Sequence, residues 1–157
     1  MFRFLTLLMA FAGTQVQALS CPGPDPALAF QIAMDAPGTY VVLRGTVVET
    51  EGRVPLPDDR FKAHPVPARF SGQELTPDGF TQSLDTAMTV QITCAGPWCG
   101  QMPPATPIIA FAEVTDGAYV LDASPCETWV FAPDPKTEAL LTACLQGGAC
   151  VPGNGLN

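Results

Sequence analysis

The sequence predicts a mainly β fold: a small closed barrel of five strands, with a short helix before it and another after it. Three observations carry that expectation. The first is residues 40–50, Tyr-Val-Val-Leu-Arg-Gly-Thr-Val-Val-Glu-Thr, the longest run of β-branched and aromatic side chains, bounded by Pro37-Gly38 and Gly52. Val41, Leu43 and Val47 fall on one face, and Tyr40, Val42, Thr46 and Val48 on the other. A strand apolar on both faces belongs in the middle of a fold. The second observation is Gly45 at the centre of that strand, where glycine serves a bulge or a sharp bend. A long strand bent there can pair with two sheets and close a barrel. The third is the spacing of four further short strands, the last two joined by a hairpin signal at Thr115-Asp116-Gly117.

In chain order, Asp25-Pro26 is an N-cap followed by a first-turn proline, so residues 27–34 form a short helix that ends before Pro37-Gly38. The central strand follows. Residues 51–65 are polar and proline-rich and read as a long exposed loop. Residues 66–72 alternate and give the second strand, with Pro67 confined to an edge or a bulge because it has no N–H for a ladder. Residues 76–85 read as a connection with a turn at Pro77-Asp78-Gly79. Residues 86–94 alternate, with Met88, Val90, Ile92 and Cys94 inward. Strands at 108–114 and 118–123 flank the hairpin turn. Asp134-Pro135 repeats the helix-start pattern, and residues 136–146 form a helix ended by Gly147-Gly148. Helix, five strands and helix suggest a Greek-key barrel of the OB type, which binds through its first–second and fourth–fifth loops. Here the fourth–fifth loop is minimal, so the first–second loop is the better binding candidate. An open sandwich of the same strands is the competing architecture.

Met1-Phe2-Arg3, the apolar run 4–13 and polar 14–17 read as a signal peptide, residues 1–18, with cleavage after Ala18 or Ser20. The apolar run is too short for a membrane span, which needs about 20 residues. Ala18-Leu19-Ser20-Cys21 is a poor lipoprotein signal. The expectation is an exported protein, periplasmic or extracellular, without integral membrane segment, whose residues 19–157 form one domain. Without Arg3 the mature chain has six basic and fifteen acidic residues, a net charge of −9. That field repels phosphate backbones, so nucleic acid is not expected as a partner.

The six cysteines, Cys21, Cys94, Cys99, Cys126, Cys144 and Cys150, all follow the leader. An even count in an exported chain reads as three disulfides. Zinc is not expected, since the chain has no Cys-x2-Cys pair and its only histidine is His64. No cofactor is expected either. Pro97-Trp98-Cys99-Gly100 has a Cys-x4-Cys spacing after a strand, which suits a structural bridge better than a redox dithiol at a helix start.

Read against its cysteines, the chain resembles the netrin-module and tissue-inhibitor-of-metalloproteinases superfamily over nearly all its mature length. Cys21-Pro22-Gly23-Pro24-Asp25-Pro26-Ala27-Leu28-Ala29-Phe30 is similar to the segment of those inhibitors that starts at the second cysteine of their opening Cys-x-Cys. Val42-Leu43-Arg44-Gly45-Thr46-Val47-Val48 resembles the family's first strand, Cys99-Gly100 its Cys-Gly after the third strand, and Cys126 the cysteine past its fifth. The resemblance implies a Cys21–Cys126 bridge. In such inhibitors the first cysteine offers its α-amino group and carbonyl to the target's zinc, and its side chain is locked to the Cys-Gly cysteine. After cleavage at Ala18, Leu19 would stand there without a sulfur, leaving Cys94 as the substitute partner for Cys99. The turn-rich 95–98 segment brings those two together, and Gly147-Gly148 lets Cys150 return to Cys144. The rival map joins Cys21 to Cys99.

Arg53, Arg60, Lys62 and Arg69 cluster in or beside the long loop. They are either a solvated face or a docking loop for an acidic partner, with His64 beside them. Trp98 and Trp129 lie near cysteines and either pack on a disulfide or contact a partner. The leading expectation is a non-catalytic binding module with a protein partner, contacting it through Arg53, Arg60, Lys62, His64 and Trp98. The alternatives are a metalloprotease inhibitor that uses its free N-terminus as a zinc ligand, and a small hydrolase that uses His64 with loop carboxylates such as Asp58 and Asp59.

Overall fold

Strand β1 (Thr39–Glu49) bends so that its two halves meet different partners. Residues 39–45 pair with β6 (Ile108–Thr115) and residues 43–49 with β2 (His64–Thr76), both antiparallel, and Gly45 pairs on both sides. The computed structural model describes residues 20–21, 23–52, 62–126 and 128–153. Strand β2 continues antiparallel into β3 (Gly79–Ile92), β3 pairs in parallel with β7 (Ala118–Ala123), and β7 returns antiparallel to β6. The circuit β1-β2-β3-β7-β6-β1 is a closed five-stranded Greek-key barrel of the OB type, and the open sandwich is set aside. Three short strands add to it: β4 (Cys94–Ala95) paired with β5 (Trp98–Cys99), and β8 (Val130–Phe131) on β6.

Both helices start as their sequences dictate. Helix α1 (Pro26–Asp35) is capped by Asp25, whose Oδ1 accepts the N–H groups of Ala27 and Leu28, each at 3.0 Å. Helix α2 (Pro135–Leu145) is capped by Asp134 in the same way. Inside the barrel lie Leu43, Val47, Phe70, Val90, Ala110 and Leu121. A second cluster packs both helices on the outer surface, with Phe30 and Ala33 from α1 and Leu141 from α2 against Val42, Ile109 and Phe111. This explains why β1 is apolar on both faces. The cover is incomplete, for Val48 remains 51% exposed beyond the helices. The ion pair from Arg44 Nη1 to Glu138 Oε2, 2.7 Å, also ties α2 to the barrel, with the Arg44 guanidinium over the Phe80 ring.

Four expectations are corrected. The second strand is longer than 66–72. Residues 76–85 are not a loose connection: Gly79, at φ +94°, closes a tight turn, and β3 starts there. The stretch looks loop-like because Thr81, Gln82 and Ser83 are all exposed on a projecting hairpin, so no apolar alternation marks it. His64 and Pro65 belong to β2 and not to the loop. Strand β3 stops at Ile92, and Cys94 opens the separate β4–β5 hairpin. Pro67 does sit where its missing N–H costs nothing. Its carbonyl accepts from Thr50 N–H at 3.1 Å, so its backbone faces β1 at the point where that strand has ended. The Asp116-Gly117 turn has φ +51° and +79°, the two positive values that a two-residue hairpin needs.

Candidate functional site

The strand register gathers the long connections at one end of the barrel. His64 of β2 lies opposite Ile92 of β3, and Ile92 lies beside Ala123 of β7. The residues after Glu49, before His64, after Ile92 and after Ala123 therefore leave the barrel together. The bridges Cys94–Cys99 and Cys21–Cys126 fasten this end, while Cys144–Cys150 closes the chain after α2. Cys21, Cys99 and Cys126 line one open cleft of about 590 Å3, along with Pro24, Gly100 and Phe131.

Backbone contacts set the walls of the cleft. Thr93 N–H donates to Ala123 O at 3.0 Å and Gly100 N–H to Thr93 O at 2.9 Å, so the chain after the β4–β5 hairpin is pressed on the end of β7. A Cβ on Gly100 would stand 1.7 Å from Ala123 O, so only glycine fits after Cys99. Ser124 Oγ donates to Cys126 O at 2.7 Å and holds the segment that carries the long bridge. On the first helix, Asp25 Oδ2 accepts Gly153 N–H at 2.5 Å, and Gln31 Nε2 donates to Cys150 O at 2.7 Å, so the Cys144–Cys150 loop buttresses the segment that leads to Cys21.

The hydroxyl and carboxylate groups of the cleft are already engaged, and the exposed Gln101 also lines it. Asp134 accepts from Thr137 Oγ1 at 2.6 Å and from the N–H groups of Lys136 and Thr137. Those bonds, the Thr137 hydroxyl first, hold its carboxyl below the usual range. The Ser124 hydroxyl donates to a carbonyl and, among the described residues, has no base partner of the kind a nucleophile requires. This arrangement offers shape, apolar surface and backbone groups to a ligand.

Of the residues expected to contact a partner, Lys62, His64 and Trp98 come to this end of the barrel. Trp98 is 42% exposed on the β4–β5 hairpin. Arg53 and Arg60, like Asp58 and Asp59, lie outside the described residues. Arg69 pairs with Asp85 on the β2–β3 surface. His64 is half-buried in β2 and is not part of the cleft wall. Trp129 stacks on Tyr40 with ring centroids 5.4 Å apart and leans on Phe111 at 6.0 Å. Reading the sequence did not single out Pro24, Ser124, Phe131 or Asp134 as neighbours. Only the Cys99-Gly100 pair, with its requirement for close backbone approach, signalled this wall.

Comparison with known protein families, with curated proteins and with solved structures gives no match. The fold and the site therefore rest on the chain's own geometry. Among the described residues no helix is long and apolar enough to cross a membrane.

Proposed function

We propose that this chain is an exported, non-catalytic binding module of the netrin and metalloproteinase-inhibitor kind, which presents its disulfide-framed barrel end to a protein partner. One observation carries the reading. Two bridges and the ends of three strands converge on a cleft whose hydroxyl and carboxylate groups are already hydrogen-bonded within the protein. Such a surface is pre-formed, which reduces the ordering cost of binding. The exposed Trp98, next to Cys99 in the chain, supplies an aromatic contact of the type that dominates interfaces. The basic residues Arg53, Arg60 and Lys62 suit an acidic patch on the partner.

The test uses a photoreactive residue in the mature chain, at position 98 or at position 78 on the opposite end, mixed with exported proteins of the producing cell. A crosslink from position 98 that unlabelled protein competes away, with none from position 78, is expected. Equal crosslinks from both positions, or none from position 98, would overturn the reading.

A second reading, inhibition of a zinc protease by the free N-terminus, is favoured by the exposed Ser20-Cys21 segment on the cleft beside Cys99. It ranks second because Cys99 is bonded to Cys94, which leaves the residue before Ser20 without the lock those inhibitors use. Loss of protease inhibition on acetylation of the mature N-terminus would support it; no inhibition of any zinc endopeptidase would remove it.

A further inference from the structure

Strand β3 has 14 residues, but β7 accompanies only residues 88–92. Among the described residues no strand lies along the same side of residues 79–87. The register tells which backbone groups face that lane. Pro67 turns its backbone to β1, since its carbonyl accepts from Thr50 N–H, so Thr89 opposite it turns its own away from β2. The bond from Thr93 N–H to Ala123 O, on the β7 side, agrees with this alternation. Carried back through the unbroken register to the Glu74–Gln82 pair, it points the N–H and C=O groups of Ser83 and Asp85 and the N–H of Ala87 into the lane, while the Ala87 carbonyl already accepts from Thr86 Oγ1 at 3.3 Å.

An open edge of this length is ordinarily blocked by proline, lysine or a bulge. At the start of β2, where among the described residues β1 has ended, Pro65 and Pro67 both present a nitrogen without hydrogen on the β1 side, Pro67 toward Thr50. Residues 81–87, Thr-Gln-Ser-Leu-Asp-Thr-Ala, contain neither proline nor lysine. At the mouth of the lane, Ala87 and Ala118 are small and exposed and border a hollow of about 330 Å3 with Arg69, Thr89 and Tyr119.

We propose that this lane is a strand-acceptor site for an extended basic segment of a partner protein. The incoming strand lies in line with β7 and completes the hydrogen bonding of Ser83, Asp85 and the Ala87 N–H. Charge selects the occupant. Asp78 at the β2–β3 turn and Asp116 on the turn beside the mouth are acidic, while Arg69 and Asp85 on the edge neutralise each other as an ion pair. A second mature copy would bring the same negative net charge, −9, which disfavours self-pairing. This surface shares no lining residue with the cleft, so it goes beyond the binding reading above and does not depend on it.

The probe is the peptide Ac-Thr-Lys-Val-Lys-Val-Lys-Thr-NH2, added to the intact mature protein and read by amide hydrogen exchange in NMR. At saturation the amides of Ser83, Asp85 and Ala87 are expected to slow by roughly 10-fold or more, while those of Gln82 and Leu84, already turned to β2, stay as they were. Ser83→Pro removes a lane-facing N–H without touching the β2 ladder and is expected to abolish the effect. Should that variant fail to fold, the same peptide with alternate backbone amides N-methylated makes the equivalent test on wild-type protein, and it should not bind. Replacing the peptide's lysines by glutamate should weaken binding. Unchanged exchange, equal binding of the methylated peptide, or the same protection arising without peptide as protein concentration rises would each overturn the proposal, the last in favour of a second copy.

Discussion

The backbones of Gly45 and Gly72 meet so closely that a methyl group on Gly72 would stand 2.6 Å from the Gly45 Cα, and one on Gly45 would stand 2.7 Å from the Gly72 Cα. The same methyl groups would strike Arg44 O and Ser71 O, and both would touch the Phe70 ring edge at 2.8 Å. The contact lies where β1 passes from β6 to β2, so the bend that closes the barrel depends on two absent side chains. Gly72→Ala or Gly45→Ala should cost about 1–3 kcal/mol or more, the range of an overpacked core site, measured by denaturant unfolding. A loss below about 0.5 kcal/mol, the range of an ordinary surface change, would contradict this.

The three bridges should differ in weight. Cys21–Cys126 spans 105 positions and Cys144–Cys150 only 6. In the chain-entropy account the first contributes about 5 kcal/mol and the second about 2. Replacing both cysteines of each pair by serine and comparing unfolding free energies checks the order. A greater loss from the C-terminal pair would show that its contacts with α1 outweigh loop length.

Much of the fold was legible because local chemistry and global placement agree. Tyr40, Val42 and Leu43 announce a strand covered on both sides, Asp25-Pro26 and Asp134-Pro135 announce helix starts, and Asp116-Gly117 announces its hairpin. The tip of the β2–β3 hairpin was not legible, because Thr81, Gln82 and Ser83 face solvent whatever they form. The cleft was less legible still. Its walls are backbone from residues 99–101 and 124–126 and the start of α2, and what brings them together is strand register rather than any local pattern.

Asp122 should be a small burden at neutral pH. Partial burial on β7 raises its pKa, and the hydrogen bond from Thr93 Oγ1 at 3.4 Å offsets this only in part. A carboxyl whose folded pKa lies above its unfolded value loses stability as pH rises through the folded pKa, and the penalty vanishes below the unfolded value. Asp122→Asn should therefore raise the midpoint of thermal unfolding at pH 7, with the gain shrinking to nothing in acid. A gain that persists below the ordinary aspartate pKa would point to packing instead of charge.

The basic loop should act on encounter rate. Arg60→Glu with Lys62→Glu should slow association with the partner several-fold, most clearly at low salt, and leave dissociation nearly unchanged. Stopped-flow or surface-binding kinetics at two salt concentrations make the comparison. Unaltered association would return the loop to a solvated surface.

The central claim is that the barrel end framed by Cys21–Cys126 and Cys94–Cys99 is where the partner sits. Hydrogen exchange of the mature protein, with and without the partner isolated through position 98, tests it most directly. The account predicts added protection at residues 96–101 and 124–126, with the β6–β7 turn at Asp116-Gly117 unchanged. Protection confined to that turn, or to residues 77–87, with none around Cys99 and Cys126, would contradict it.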